Sequence, residues 1–219
     1  MTTSYLVVGT DTNVGKTYVA TALVQHFVQA GLQTVGMKPI ASGCTINQAG
    51  ELSNEDAVAL SLASNVNAPL HLTNPYRFAP AIAPHLAAEQ AGVVMDLAVM
   101  TQAFQQLSSL AEVVIVEGAG GFFVPINATE TLADLAVKLN IPLILVVGMR
   151  LGCINHALLT VEAIQSRGLK LAGWVANEID PNMSMFAENV SSLQQRIPVP
   201  CLSVVRWQGR LNLNAGLVT

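Results

Sequence analysis

Apolar residues along this chain fall into short continuous runs, and the stretches between them repeat their apolar positions every three to four residues. The runs at Tyr5 to Val8, Thr34 to Lys38, Val113 to Glu117, Leu143 to Val147 and Leu171 to Ala176 predict strands, with one more at Val199 to Val204. Helical spacing predicts helices over Lys16 to Ala30, Asn54 to Ala63, Met95 to Leu110, Thr131 to Leu139, Asn155 to Ser166 and Met185 to Gln195. Val113-Val114-Ile115-Val116 and Leu143-Ile144-Leu145-Val146-Val147 lack the alternation of a half-exposed strand, so each is expected to be covered on both faces. Strand and helix therefore alternate as in an α/β fold with a mostly parallel sheet, whose functional loops gather at the carboxyl edge of the strands. Pro69, Pro75, Pro80 and Pro84 predict irregular backbone over residues 69–84, either a wall or lid of a site or a plain connector.

Composition narrows the class. A chain of 219 residues is expected to form one domain over 1–219. It is 52% hydrophobic and 11% charged, yet no apolar run approaches the roughly 18 residues that span a bilayer. The apolar excess is thus assigned to the sheet interior or to a partner subunit. A net charge of −4 offers no basic field, so neither nucleic acid nor an anionic membrane is an expected partner. Cys44, Cys153 and Cys201 lack the spacing of a zinc site or redox pair and are read as reduced thiols. His26, His71, His85 and His156 show no ligand spacing, and the absence of a charged, apolar leader at Met1 makes a cytoplasmic location the expectation.

Chemistry is suggested by what ends the strands. After the first comes Gly9-Thr10-Asp11-Thr12-Asn13-Val14-Gly15-Lys16-Thr17, a glycine-bounded loop opening a helix. Such a loop places backbone N–H groups, an ammonium and a hydroxyl around one point suited to a polyphosphate and its Mg²⁺. Its first glycine lies one step earlier than in the strict pattern. Lys38 ends the second strand, with Ser42 four residues on; it is either a second cation over the loop or a solvated charge. Glu117 ends the third strand before Gly118-Ala119-Gly120-Gly121, as a metal-binding acid or a structural turn residue. Asp56 stands at a helix start, where it serves either the helix dipole or a metal. Asn177 ends the fifth strand, to read a base edge or to begin a turn, and Gly152 to Asn155 open a helix whose N–H groups suit a carboxylate or merely receive a cap.

Taken in order from Tyr5 to Pro200, five motifs resemble those of the dethiobiotin synthetase family: the phosphate loop, Lys38-Pro39-x-x-Ser42-Gly43, Val116-Glu117-Gly118-Ala119-Gly120-Gly121, Val147-Gly148-x-x-Leu151-Gly152-Cys153-Ile154-Asn155-His156 and Ala172-Gly173-Trp174-Val175-Ala176-Asn177. The resemblance implies a single-domain P-loop NTPase fold with a mostly parallel sheet of about seven strands and helices on both faces. It implies ATP- and Mg²⁺-dependent closure of the ureido ring of dethiobiotin from 7,8-diaminopelargonate and CO2, with ADP and phosphate released. One amine captures CO2 as a carbamate, the carbamate attacks the γ-phosphate, and the neighbouring amine closes the resulting carbamic-phosphoric anhydride.

Carried onto this sequence, Lys38 is implied as the principal catalytic cation and Lys16 as that of the phosphate loop, with Thr12 and Ser42 orienting the diamine and carbamate. Thr17, Asp56 and Glu117 are implied to bind Mg²⁺. The nucleotide is implied to lie against Asn13, Val14, Gly15, Lys16, Thr17 and Tyr18, against Asp56, against Glu117, Gly118, Ala119 and Gly120, and against Asn177 and Glu178, with Asn177 on adenine. The resemblance also implies a homodimer in which Gly152, Cys153 and Asn155 of one subunit complete the substrate site of the other. Asn13 stands where an acid is frequent in the family, Arg206 stands where a proline fits its pattern, and the segment from Cys201 to Thr219 matches poorly. The alternative, a dimeric switch ATPase controlling a protein partner, lacks here the extra loop lysine and the basic amphipathic end usual in such proteins.

Overall fold

The computed structural model describes residues 2–212. Its elements, in chain order, begin with β1 (Thr3–Gly9), α1 (Lys16–Gln29), β2 (Thr34–Met37), β3 (Ile40–Ser42), β4 (Thr45–Ile46), β5 (Leu52–Ser53), α2 (Glu55–Ala63), α3 (Leu70–Thr73) and β6 (Tyr76–Phe78). They continue with α4 (Pro84–Gln90), α5 (Leu97–Leu110), β7 (Val113–Glu117), α6 (Leu132–Leu139), β8 (Leu143–Met149), α7 (Cys153–Ser166), β9 (Leu171–Glu178), α8 (Phe186–Arg196) and β10 (Cys201–Val205).

Six strands form the central sheet in the order β10-β9-β8-β1-β7-β2. Every neighbouring pair is parallel. Among the described residues the central sheet thus has six strands where about seven are implied, and the remaining short strands pair with one another, β3 with β6 and β4 with β5. Side chains alternate between two cores, as the two-residue period of a strand requires. Tyr5 and Val7 of β1 meet Val19, Leu23 and Phe27 of α1, whereas Leu6 and Val8 face the core shared with α5, α6 and α7. All five residues of β7 and all seven of β8 are buried, which explains their unbroken apolar sequences.

All six expected helices are present with ends shifted by two residues at most. The proline-rich segment differs from expectation. It holds the single turn α3, the strand β6 and the start of α4, because Pro69 stands at the N-cap of α3 and Pro84 at the first position of α4, where a missing N–H costs nothing. β6 then pairs with β3, Ile40 opposite Tyr76 and Ser42 opposite Phe78, which fastens the segment beside the end of β2. No helix among the described residues is long and apolar enough to cross a membrane.

Candidate active site

The strand order sends β1 and β2 to opposite sides of β7, so the loops after these three strands open onto one crevice at the carboxyl edge. A cavity of about 800 Å³ lies there. Thr12, Asn13, Gly15, Lys16 and Thr17 line it from the phosphate loop, Lys38 and Ser42 from the end of β2 and from β3, Asp56 from α2, and Glu117, Ala119 and Gly120 from the end of β7. Ala81, Ile82, Ala83 and Pro84 close another side, so the proline-rich segment is a wall of the site.

Lys38 is the centre of its polar network. Its Nζ lies 2.6 Å from Glu117 Oε1 and 2.9 Å from Asp56 Oδ2, and it also donates to the Gly118 carbonyl at 3.4 Å. Thr17 Oγ1 donates to the same Glu117 oxygen at 2.7 Å. Lys38 and Glu117 are 5% and 1% exposed, so neither charge is shielded by water and each depends on the other. Burial by itself would lower the affinity of Lys38 for its proton; the Glu117 and Asp56 carboxylates more than reverse this and hold the ammonium above the ordinary lysine range. Asp56 is driven below the usual carboxylate range, since the pull of Lys38, with hydrogen bonds from Lys38 and Thr17, outweighs its own burial.

Asp56 is free to face Lys38 because Asn54 takes over the helix cap. The Asn54 side chain accepts from Asp56 N at 3.1 Å and Ala57 N at 3.4 Å, and its amide donates to the Ser42 carbonyl at 3.2 Å. Lys16 sits at the first position of α1 with its ammonium donating to the Asp11 carbonyl at 2.8 Å, folded back onto its own loop. Burial and then the charge of Lys38 draw its pKa down to about 8, so it remains charged at neutral pH.

Sequence reasoning missed how Lys38 is held. Its backbone N–H donates to the Thr73 carbonyl at 2.7 Å, and its own carbonyl accepts from the side-chain amide of the wholly buried Asn74. The Asn74-Pro75 pair marks a turn in the sequence, but only the tertiary contact shows what that turn grips.

Several expected residues lie outside this cavity. Val14 is buried in the core beneath the loop, and Gly118 packs so closely on Leu132 that an added Cβ would come within 2.7 Å of it. The amide of Asn177 donates to the Val14 carbonyl at 2.9 Å, bracing the phosphate loop from below. Glu178 is buried and accepts from Arg206 Nε at 3.0 Å and from Trp207 N at 2.8 Å. Arg206, the residue at the family's proline position, also lays its guanidinium 4.3 Å above the Phe186 ring. Tyr18 donates its hydroxyl to the Gly209 carbonyl at 2.9 Å and accepts from Leu211 N at 2.8 Å. Asn177, Glu178 and Tyr18 thus fasten the phosphate loop and the segment after β10; positions 213–219 of that poorly matched end lie outside the described residues.

Gly152 and Asn155 are exposed and Cys153 is buried at the start of α7; none lines the cavity of its own chain. A second, more open cavity of about 670 Å³ adjoins the first through Thr12 and runs past Phe123, His156 and Leu159.

The chain matches the family described as AAA domain over residues 3–214. It is 49% identical over 203 residues to a protein of Nitrosospira multiformis named ATP-dependent dethiobiotin synthetase BioD, covering 93% of this chain and 88% of that one. A protein of the same name from Aromatoleum aromaticum is 52% identical over 202 residues, covering 92% and 89%. Among solved structures, the septum site-determining protein MinD of Pyrococcus horikoshii, complexed with Mg-ADP, matches with a TM-score of 0.57 at 15% identity over 94% of this chain and 82% of that one. Cell division protein FtsY of Thermotoga maritima matches with a TM-score of 0.54 at 14% identity over 99% and 66%. At these identities the last two establish a shared fold only.

Proposed function

Since the chain belongs to the ATP-dependent dethiobiotin synthetase family, we propose how its residues carry out that synthesis, one of the steps of biotin formation. The relatives' shared name, at about half identity over nine-tenths of the chain, does not favour the switch-ATPase alternative. In the proposed reaction a carbamate of 7,8-diaminopelargonate attacks the terminal phosphate of ATP and expels ADP, and the second amine then attacks the resulting carbamic-phosphoric anhydride, displacing phosphate and losing a proton as the ring closes. The reacting oxygen and the phosphate are both anionic. Repulsion between them is the barrier that the site must lower.

The observation that carries this reading is the placement of two buried lysines and two acids around one cavity, Lys38 between Glu117 and Asp56 and Lys16 at the helix start opposite. Lys16 turns from the Asp11 carbonyl to the phosphates, and Lys38 neutralises the carbamate and the phosphoryl group in transfer. Ser42 and Thr12 orient the diamine, a role that the buried Ser42 hydroxyl, with no hydrogen-bond partner among the described residues, is free to take. Thr17, Asp56 and Glu117 would hold Mg²⁺, which would supply charge neutralisation on the phosphates. This donor set fits magnesium: all of it is oxygen, only two members are carboxylates, and the second oxygen of buried Glu117 has no hydrogen-bond partner among the described residues.

We expect ATP cleavage to need the diamine and CO2 together. Phosphate release should fall at least about tenfold when either is omitted, a barrier difference of about 1.4 kcal/mol or more. Steady hydrolysis indifferent to the diamine would sink this reading.

The chain acts as one domain over residues 1–219 in this proposal, supported by a sheet that takes strands from both ends of the described residues. It works in the cytoplasm, where the buried thiols Cys44 and Cys153 stay reduced. It pairs as a homodimer through the face where Phe123 and Leu159, 50% and 58% exposed, line the second cavity, Leu159 being close in sequence to the 96% exposed Leu151 just before α7. The exposed Gly152 and Asn155 of one subunit then reach the partner's substrate. Sedimentation should give twice the chain mass, and Leu159→Glu should shift the protein to single chains. A wild-type protein that stays single at micromolar concentration would overturn the pairing.

A further inference from the structure

A positive charge already stands where the oxygen donors of the proposed magnesium site converge. The Lys38 ammonium contacts Glu117 Oε1 at 2.6 Å and Asp56 Oδ2 at 2.9 Å, and the Thr17 hydroxyl shares that Glu117 oxygen at 2.7 Å. Lys16 does not share this task, because its ammonium is bound to the Asp11 carbonyl. We infer that Lys38 is a built-in counter-ion that competes with the divalent cation for Asp56 and Glu117, so that metal entry releases the ammonium into the substrate cavity. The inference rests on the assignment of Thr17, Asp56 and Glu117 as the metal ligands.

Four features support it. Glu117, at the tip of a fully buried strand, is 1% exposed and cannot be left as an isolated carboxylate, so something cationic must occupy the site when metal is absent. The compensation is partial, since Glu117 Oε2 has no hydrogen-bond partner among the described residues and stays available to a larger charge. A dication drawing on the same oxygens would face the ammonium at contact distance, where like charges repel strongly in a site shielded from water. Movement is open to only one of the two. The Lys38 backbone is gripped by Thr73 and Asn74, but its side chain is a flexible stem along the wall of the cavity. Release would therefore swing the ammonium toward Ser42 and the reacting groups without disturbing the strand. Metal binding and the supply of the catalytic cation become one event.

Removing the competitor should tighten metal binding even as it destroys catalysis. Lys38→Met keeps the stem without the charge. Mn²⁺ binding read by electron paramagnetic resonance, and MgCl2 binding read by calorimetry, should be about tenfold or more tighter in Lys38→Met than in the wild type, a change of about 1.4 kcal/mol for each factor of ten. An unchanged or weaker affinity in the folded variant would overturn the inference. Should the variant fold only with MgCl2 present, the wild type decides: acylation of Lys38 by an amine reagent, followed by mass spectrometry, should accelerate on adding MgCl2 relative to NaCl of equal ionic strength. The exposed Lys138 and Lys170 serve as references. Lys38 labelling that does not respond to MgCl2 would also overturn it. Mn²⁺ affinity unaltered by Glu117→Gln would remove the ligand assignment itself, a failure distinct from that of the counter-ion.

Discussion

Lys38→Ala is expected to lower turnover by about three orders of magnitude while changing nucleotide affinity by less than about tenfold. Removing one preorganised electrostatic donor from a water-poor site usually costs about 10²- to 10³-fold, and Lys38 is expected to act on both anionic partners. Nucleotide affinity changes little because phosphate contacts belong to the loop and to Lys16. An interaction made chiefly in the transition state lowers kcat and kcat/KM together and spares binding. Product formed from labelled bicarbonate, set beside calorimetric nucleotide binding, measures the two effects; equal losses would reduce Lys38 to a binding residue. The same truncation leaves Glu117 buried without its cation, which costs about 3 kcal/mol or more. In a chain of this size that corresponds to a fall of about 6 to 12 °C in Tm for the metal-free protein.

Gly15→Ala is expected to weaken nucleotide binding by about a hundredfold or more, with turnover falling in step. Gly15 adopts φ +90°, a conformation that a side chain disfavours by about 1–2 kcal/mol. The larger obstacle is spatial: the new Cβ would overlap the side-chain nitrogen of Asn177, which is held by the Val14 carbonyl. Either the loop opens or Asn177 gives up its bond, and both spoil the cradle of N–H groups that receives the phosphates. The sheet does not depend on this contact, so Tm should drop by only a few degrees. Calorimetry with ATP reads the result, and wild-type affinity in the variant would disprove that this loop holds phosphate.

The fold was legible wherever a segment declares its own partner. β7 and β8 are unbroken apolar runs because both faces are covered, and α1 shows its buried stripe in Val19, Leu23 and Phe27. Legibility failed between Pro69 and Pro84, where proline density reads as irregular although β6 gains its order from pairing with β3, a contact more than thirty residues away in the chain. The site divides in the same manner. Lys16, Lys38 and Glu117 could be picked out because each ends a strand or opens a helix at the carboxyl edge. Asp56 was singled out as well, but its ion pair with Lys38 could not be read, since it depends on Asn54 having assumed the cap. Asn74 and Thr73 were invisible for the same reason, their importance being a grip on a distant backbone.

The order of the strands has a last consequence for the chemistry. Because β7 lies between β1 and β2, the acid Glu117 rises from the middle strand while the two lysines come from the loops and ends of those on either side. Neighbouring strands are spaced about 4.8 Å apart, so the backbone lattice itself sets the separation between the strand ends that carry Lys38 and Glu117. No side chain has to measure that distance. A ruler made of hydrogen-bonded backbone keeps its divisions while the lysine stems swing, and the rigid sheet can thereby serve a reaction whose charged groups have to move.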